Sequence, residues 1–150
     1  MHDDWRANLV ESPEEVRAIA RAAKRVAVLG IKTEKQSGQP AFYVAAALQR
    51  AGVEILPVPV YYPEVTEILG ARVARRVADV PGPIDIVDVF RRSEDVPAHL
   101  DDLLAAKPKC VWLQSGIRND QVAETLARAG IRVVQDRCLM VEHRIALAGG

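Results

Sequence analysis

The chain has 150 residues, enough for one domain around one core. Its 20 Lys and Arg balance 20 Asp and Glu, which leaves no basic surplus to follow a nucleic-acid backbone. No apolar run nears the roughly 20 residues of a membrane span, and the acidic start MHDDWRANLVESPEE lacks a secretory layout, so a cytoplasmic protein is expected.

Ser12, Pro13 and Glu15 in SPEEVRAIARAA stand at the spacing of an N-cap, a first helical position and a capping-box partner. Val16, Ile19, Ala20 and Ala23 then share one helical face. A strand runs from Val26 to Gly30. PAFYVAAALQRAG is a helix entered by Pro40 and stopped by Gly52, with Val44 and Leu48 facing inward. VEILPVPV is the second strand, and its prolines predict that pairing ends near Pro57. YYPEVTEILGARVARRVADVPGP crosses to the third strand irregularly, with a short helical turn expected around Glu67. That third strand spans Ile84 to Phe90. EDVPAHLDDLLAA is a helix whose start is blurred by Pro97. KCVWLQ is a strand, NDQVAETLARAG a helix capped by Asn119 and ended by Gly130, and IRVVQD the last strand. The tail RCLMVEHRIALAGG begins with a short helix. Alternation of this kind predicts right-handed βαβ units. The expected fold is a Rossmann-like three-layer α/β/α arrangement with a five-stranded, mainly parallel doubly wound sheet. It forms a single domain over 1–150, with 1–13 as an N-terminal extension.

In such sheets a ligand lies beyond the carboxyl ends of the strands, where strand order reverses. The unusual residues gather at those ends. The first strand ends in Gly30, but Lys32 and Lys35 occupy the positions where a dinucleotide fingerprint needs its other glycines. The lysines, and the free N–H groups of the helix entered at Pro40, suit a nucleotide with several spread negative charges. The second strand ends in PVPVYY and the third in VFRR. Arg91 and Arg92 sit there at a helix start, where the dipole disfavours cations. The fourth ends in WLQSGIRND and the fifth in QDRC. Each cluster also has a plain reading: a tight turn at Gly30, solvated lysines, helix-flanking arginines, turn chemistry at Gln114 and Gly116. Their coincidence at one edge favours a site.

VAVLG, VDVFRRSEDV, VWLQSGIRND and DRCLMVEH together resemble the small single-domain CoA-binding proteins, relatives of the N-terminal CoA-binding domain of the succinyl-CoA synthetase alpha subunit. The resemblance runs from Arg17 to His143 and implies binding of coenzyme A or acyl-CoA. By position, Gly30, Ile31, Lys32, Thr33, Lys35, Gln39 and Pro40 would wrap the CoA phosphates. Pro57, Val58 and Tyr61 would approach the adenosine half. Val89, Phe90 and Arg91 would line the nucleotide or pantetheine groove. Gln114, Ser115 and Gly116 would face the pantetheine arm, and Arg137 and Cys138 would close the rim. Two departures stand out. Tyr61 and Tyr62 occupy the place where many relatives carry a basic residue, and the first loop is longer and lacks a serine directly after the strand. Lys32 or Lys35 then replaces the missing cation, or CoA binds weakly. No counterpart of the synthetase's phosphohistidine domain is expected.

The chain holds three histidines, His2, His99 and His143. His2 is terminal and His99 is read as solvated on a helix. His143 belongs to the family signature, with packing against the tail set against a rim contact or catalytic base. Cys110 reads as a buried small hydrophobe. Cys138, beside Arg137, reads either as structural or as a thiol of lowered pKa able to form a mixed disulfide with that of CoA. Two cysteines make neither a disulfide framework nor a metal quartet. Asp85 and Asp88 are assigned to the folding of their strand. With no nucleophile triad, carboxylate pair or metal cluster, the expectation is binding without catalysis. The alternative is an NAD(P)-binding enzyme or redox-sensing domain, weakened by the missing glycines and by PVPV in place of an acidic residue. A third reading is a regulatory partner, homodimeric or docked on an acyl-CoA enzyme.

Overall fold

The computed structural model describes residues 4–149; His2 lies outside them. In chain order the strands are β1 (Arg25–Leu29), β2 (Glu54–Val58), the short β3 (Glu67–Ile68) and β4 (Ala71–Arg72), β5 (Ile86–Val89), β6 (Cys110–Leu113) and β7 (Arg132–Val134). The helices are α1 (Pro13–Ala22), α2 (Pro40–Arg50), α3 (Leu100–Ala106), α4 (Asp120–Arg128) and α5 (Leu139–Ala148). Five strands pair in parallel in the order β2-β1-β5-β6-β7. This is the expected Rossmann-like α/β/α architecture.

Side chains alternate across the sheet with the period of two that a pleated strand imposes. Val26, Val28, Ile55, Ile86, Cys110 and Trp112 pack beneath α1, α2 and α5. Ala27, Leu29, Val58, Val87, Val89, Val111 and Leu113 pack beneath α3 and α4. Central strands β5 and β6 have no exposed residue, as expected of parallel strands covered on both faces. The predicted caps form: Ser12 Oγ accepts the Glu15 N–H at 3.1 Å, and Asn119 Oδ1 accepts that of Val122 at 3.0 Å. The N-terminal segment packs on the protein's own core. The guanidinium groups of Arg6 and Arg128 each stand over the Trp5 ring, 4.5 Å from its centroid. Val10 then donates to the Val133 carbonyl at 2.9 Å and covers the outer edge of β7. No described helix is long and apolar enough to cross a membrane.

Three local expectations are corrected. The turn around Glu67 is a β3–β4 hairpin, with Leu69 and Gly70 at φ of 55° and 74°. Positive φ at both central positions suits the twist of a hairpin. Leu69 is held there by its N–H to Glu34 Oε2 at 2.7 Å and by its carbonyl to Gln49 Nε2 at 2.8 Å. Pairing of β2 ends near Pro57 as expected, one residue on at Val58. Pro57 lies on an edge strand, and no partner strand calls for the N–H it lacks. The helix expected from Glu94 is a 3-10 stretch over Ser93–His99 around Pro97, and regular α3 starts only at Leu100. The helix expected at the start of the tail is not short but runs ten residues as α5, packed on α1 and α2.

Asp88 breaks the apolar pattern. It sits on β5 in register between Val28 and Trp112, is 0% exposed, and neither carboxylate oxygen has a hydrogen-bond partner. Ionisation without a partner would be very costly at such a position, so burial pushes the pKa well above the ordinary carboxyl value and the group is a neutral acid. The folded-state pKa therefore exceeds the unfolded one. Stability that is complete below about pH 4 is lost as pH climbs toward the folded value. Asp88→Asn keeps the shape and removes the titration. Relative to wild type, D88N is expected to gain about 1.4 kcal/mol per pH unit over that window, read by urea denaturation from about pH 5 to about pH 8. A difference that stays constant with pH contradicts a neutral Asp88.

Candidate functional site

From β1 the chain turns outward to β2 and later returns past β1 to start β5, so the loops after β1 and β5 diverge and open a crevice. Gly30 and Phe90 face each other there. The Gly30 N–H donates to the Val58 carbonyl at 2.9 Å and the Phe90 N–H to that of Leu29 at 2.8 Å. Gly30 has φ +88°, and a Cβ on it would lie 2.4 Å from the Phe90 carbonyl oxygen. Only glycine fits.

The loop beyond Gly30 is shaped by its own side chains. Ile31 is buried, and the Lys32 N–H donates to the Ala41 carbonyl at 3.0 Å. Thr33, also buried, forms a capping box with Gln36 and accepts the Lys35 N–H at 3.2 Å. Gln39 and Pro40 then open α2, and no side chain caps its first turn. The positive end of that helix dipole is left open toward the loop.

Gly30, Ile31, Lys32, Val60, Tyr61, Tyr62, Phe90, Arg91, Arg92 and Asp95 line a cavity of about 220 Å³ at the crevice. Arg91 is its central cation. Its Nε donates to His99 Nε2 at 3.2 Å, Nη1 to Tyr61 Oη at 3.4 Å, and Nη2 lies 3.9 Å from Asp95 Oδ2. Its guanidinium also stands 5.6 Å from the Tyr61 ring centroid. The hydrogen bond from Arg91, and then its charge, hold the Tyr61 phenol below its ordinary pKa. Tyr61 is 60% exposed, and Tyr62 meets it edge to face with centroids 6.4 Å apart. Arg75 fixes this loop by donating to the carbonyls of Tyr62, Pro63 and Val65 at 3.2, 3.2 and 2.6 Å.

Farther along the rim, two turns are knitted together. The Gln114 N–H donates to the Val89 carbonyl at 3.3 Å, and its Oε1 accepts the Leu139 N–H at 2.9 Å. Gly116 N–H donates to Asp136 Oδ1 at 2.7 Å, and Trp112 Nε1 to the Arg137 carbonyl at 2.8 Å. Ser115, Arg137 and Cys138 line a second cavity of about 770 Å³ that reaches Trp5 and α4. Arg137 is committed there to Glu142 at 3.6 Å and to the Glu11 carbonyl at 3.3 Å.

Of the residues singled out in the sequence, Gly30, Ile31, Lys32, Tyr61, Phe90 and Arg91 share the crevice cavity. Val58 and Val89 are buried in the core, where only their main chains serve the rim. Pro57 lines a different cavity, about 650 Å³, along the outer edge of β2. Gln114 is buried and acts on the helix start behind it. His99 is not a solvated residue but a half-buried partner of Arg91. His143 is buried against α2, lining a groove with Leu48 and Ala51. Asp95 and Arg75 were missed, and Tyr62 was noted only beside Tyr61 as a departure from the relatives' basic residue.

The model of a CoA binding domain matches residues 24–144. The chain belongs to this CoA-binding family. The Bacillus subtilis protein YneT is 34% identical over 134 residues, which is 89% of this chain and 96% of YneT. A solved Thermus thermophilus protein, 40% identical, superposes with a TM-score of 0.81 over 91% of this chain and 99% of its own. The dinucleotide-forming acetyl-coenzyme A synthetase 1 of Ca. Korarchaeum cryptofilum shares the fold at 19% identity and a TM-score of 0.60. It covers 73% of this chain, which matches 25% of the synthetase. Membership of the family supports CoA as the ligand class.

The close approach at the crevice makes a graded prediction. Gly116 also has a left-handed φ, +85°, but nothing lies within 4 Å of a Cβ built there. Gly116→Ala should carry only the conformational strain, about 1–2 kcal/mol. Gly30→Ala adds a backbone collision and is expected to lose upward of about 3 kcal/mol. Equal losses on chemical denaturation would contradict the collision.

Proposed function

We propose that this protein binds coenzyme A, or an acyl-CoA, in the crevice between the loops after β1 and β5, and that it carries out no reaction of its own. The phosphates lie along the Gly30–Pro40 loop, where bare backbone at Gly30, Lys32 and the open start of α2 offer positive potential. The adenosine half lies beside Tyr61. Arg91 faces a phosphate from the other side of the crevice, and the pantetheine arm passes Phe90 toward Ser115 and Gly116. The observation that carries this reading is Gly30, whose missing side chain brings the loop backbone against Phe90 at the point where strand order reverses, in a chain of the CoA-binding family. Binding without reaction is supported by the occupation of the cavity's polar groups. Arg91 is engaged by His99, Tyr61 and Asp95, and Arg92 by Asp95. An NAD(P) site is disfavoured because Val58, Pro59 and Val60 stand where a ribose-binding carboxylate would.

Titration calorimetry with CoA, dephospho-CoA, NAD and ATP tests the reading. CoA is expected to bind most tightly, and Arg91→Ala to weaken it about tenfold, the worth of one charge-assisted contact. NAD bound as tightly as CoA, or an unchanged CoA affinity in R91A, would contradict the assignment.

A further inference from the structure

His99 is a second residue on which the crevice depends, although it does not line it. Arg91 Nε donates to His99 Nε2 at 3.2 Å, which requires an unprotonated nitrogen at that position. The contact sets the direction of the guanidinium from its inner edge and leaves Nη1 and Nη2 on the side of Tyr61 and Asp95. We infer, resting on the CoA reading above, that His99 is the positioning residue for Arg91: a neutral imidazole aims the guanidinium at a bound phosphate, and a proton on that ring releases it.

The charged groups facing the ring are Arg91 from the turn after β5, Asp95 from the 3-10 stretch and Asp102 from α3. Both carboxylates are committed elsewhere. Asp102 accepts the N–H groups of Val77 and Ala78 at 2.7 and 2.9 Å, and Asp95 pairs with Arg92 at 3.0 Å. Burial first, and the charge of Arg91 second, hold the imidazole below its ordinary pKa, so it is neutral above about pH 6.5. A proton on Nε2 would set two N–H donors and two cations face to face. A phosphate beyond the terminal nitrogens of Arg91 is farther from the ring than Nε is, so contact repulsion outweighs the longer-range attraction.

Calorimetry with CoA on wild type, His99→Gln and His99→Leu, each at about pH 8 and about pH 5, tests this. Gln keeps an acceptor that does not titrate, and Leu removes it. Wild type is expected to lose about tenfold more affinity than H99Q on acidification; the comparison cancels the titration of CoA and of His143. H99L is expected to bind weakly at both pH values, and H99Q to rescue it. Parallel losses in wild type and H99Q, or H99L matching wild type at about pH 8, overturn the role of His99 alone. No CoA binding by any of the three at the higher pH overturns the CoA reading, and this one falls with it.

Discussion

The rim depends on one backbone contact. Gly30 and Phe90 leave neighbouring parallel strands at the place where the chain's path reverses, and their main chains meet with no room for a Cβ. Three consequences follow from that approach. The loop after β1 is free to turn away from the sheet, because Gly30 takes a left-handed conformation at no steric cost. The start of α2 is brought to the crevice, with its first turn uncapped. The side chain of Arg91, next in sequence to Phe90, is delivered to the same opening.

What surrounds this contact is ordered by hydrogen bonds rather than by regular structure. Thr33 and Gln36 fold the loop, Arg75 gathers the carbonyls near Tyr62, and Gln114 and Asp136 tie the next two turns to each other. In the proposed reading, the groups that meet a multiply charged ligand are thereby fixed beforehand, which lowers the ordering cost of binding. Beneath them the sheet tolerates one polar intrusion, Asp88, by keeping it neutral. The rim is polar and engaged; the core below it is closed.

Much of the fold was legible in the sequence. Strands β5 and β6 are buried on both faces, so they read as near-continuous apolar runs, and Ser12 and Asn119 announced two helix starts through local cap chemistry. The β3–β4 hairpin was not legible, because Leu69 holds a conformation that turn signals assign to Gly or Asn and is kept there by distant Glu34 and Gln49. Of the candidate site, Gly30, Tyr61, Phe90 and Arg91 were legible as crevice-lining positions because topology alone brings those strand ends together. Val58 and Val89 were included with them because a sequence marks where a strand ends but not on which face its last residue points. His99 was noticed but read as solvated, for a related reason. Pro97 forces a 3-10 stretch, and that altered period turns the ring back onto Arg91, a contact that an α-helical reading of the same residues does not suggest.

A crystal structure of the protein with coenzyme A bound is the most direct test of the central claim. The account places the pyrophosphate against Gly30, Lys32 and the first turn of α2, with the adenine beside Tyr61. Cofactor density in the larger cavity between Trp5 and Arg137, or along the outer edge of β2, would contradict it.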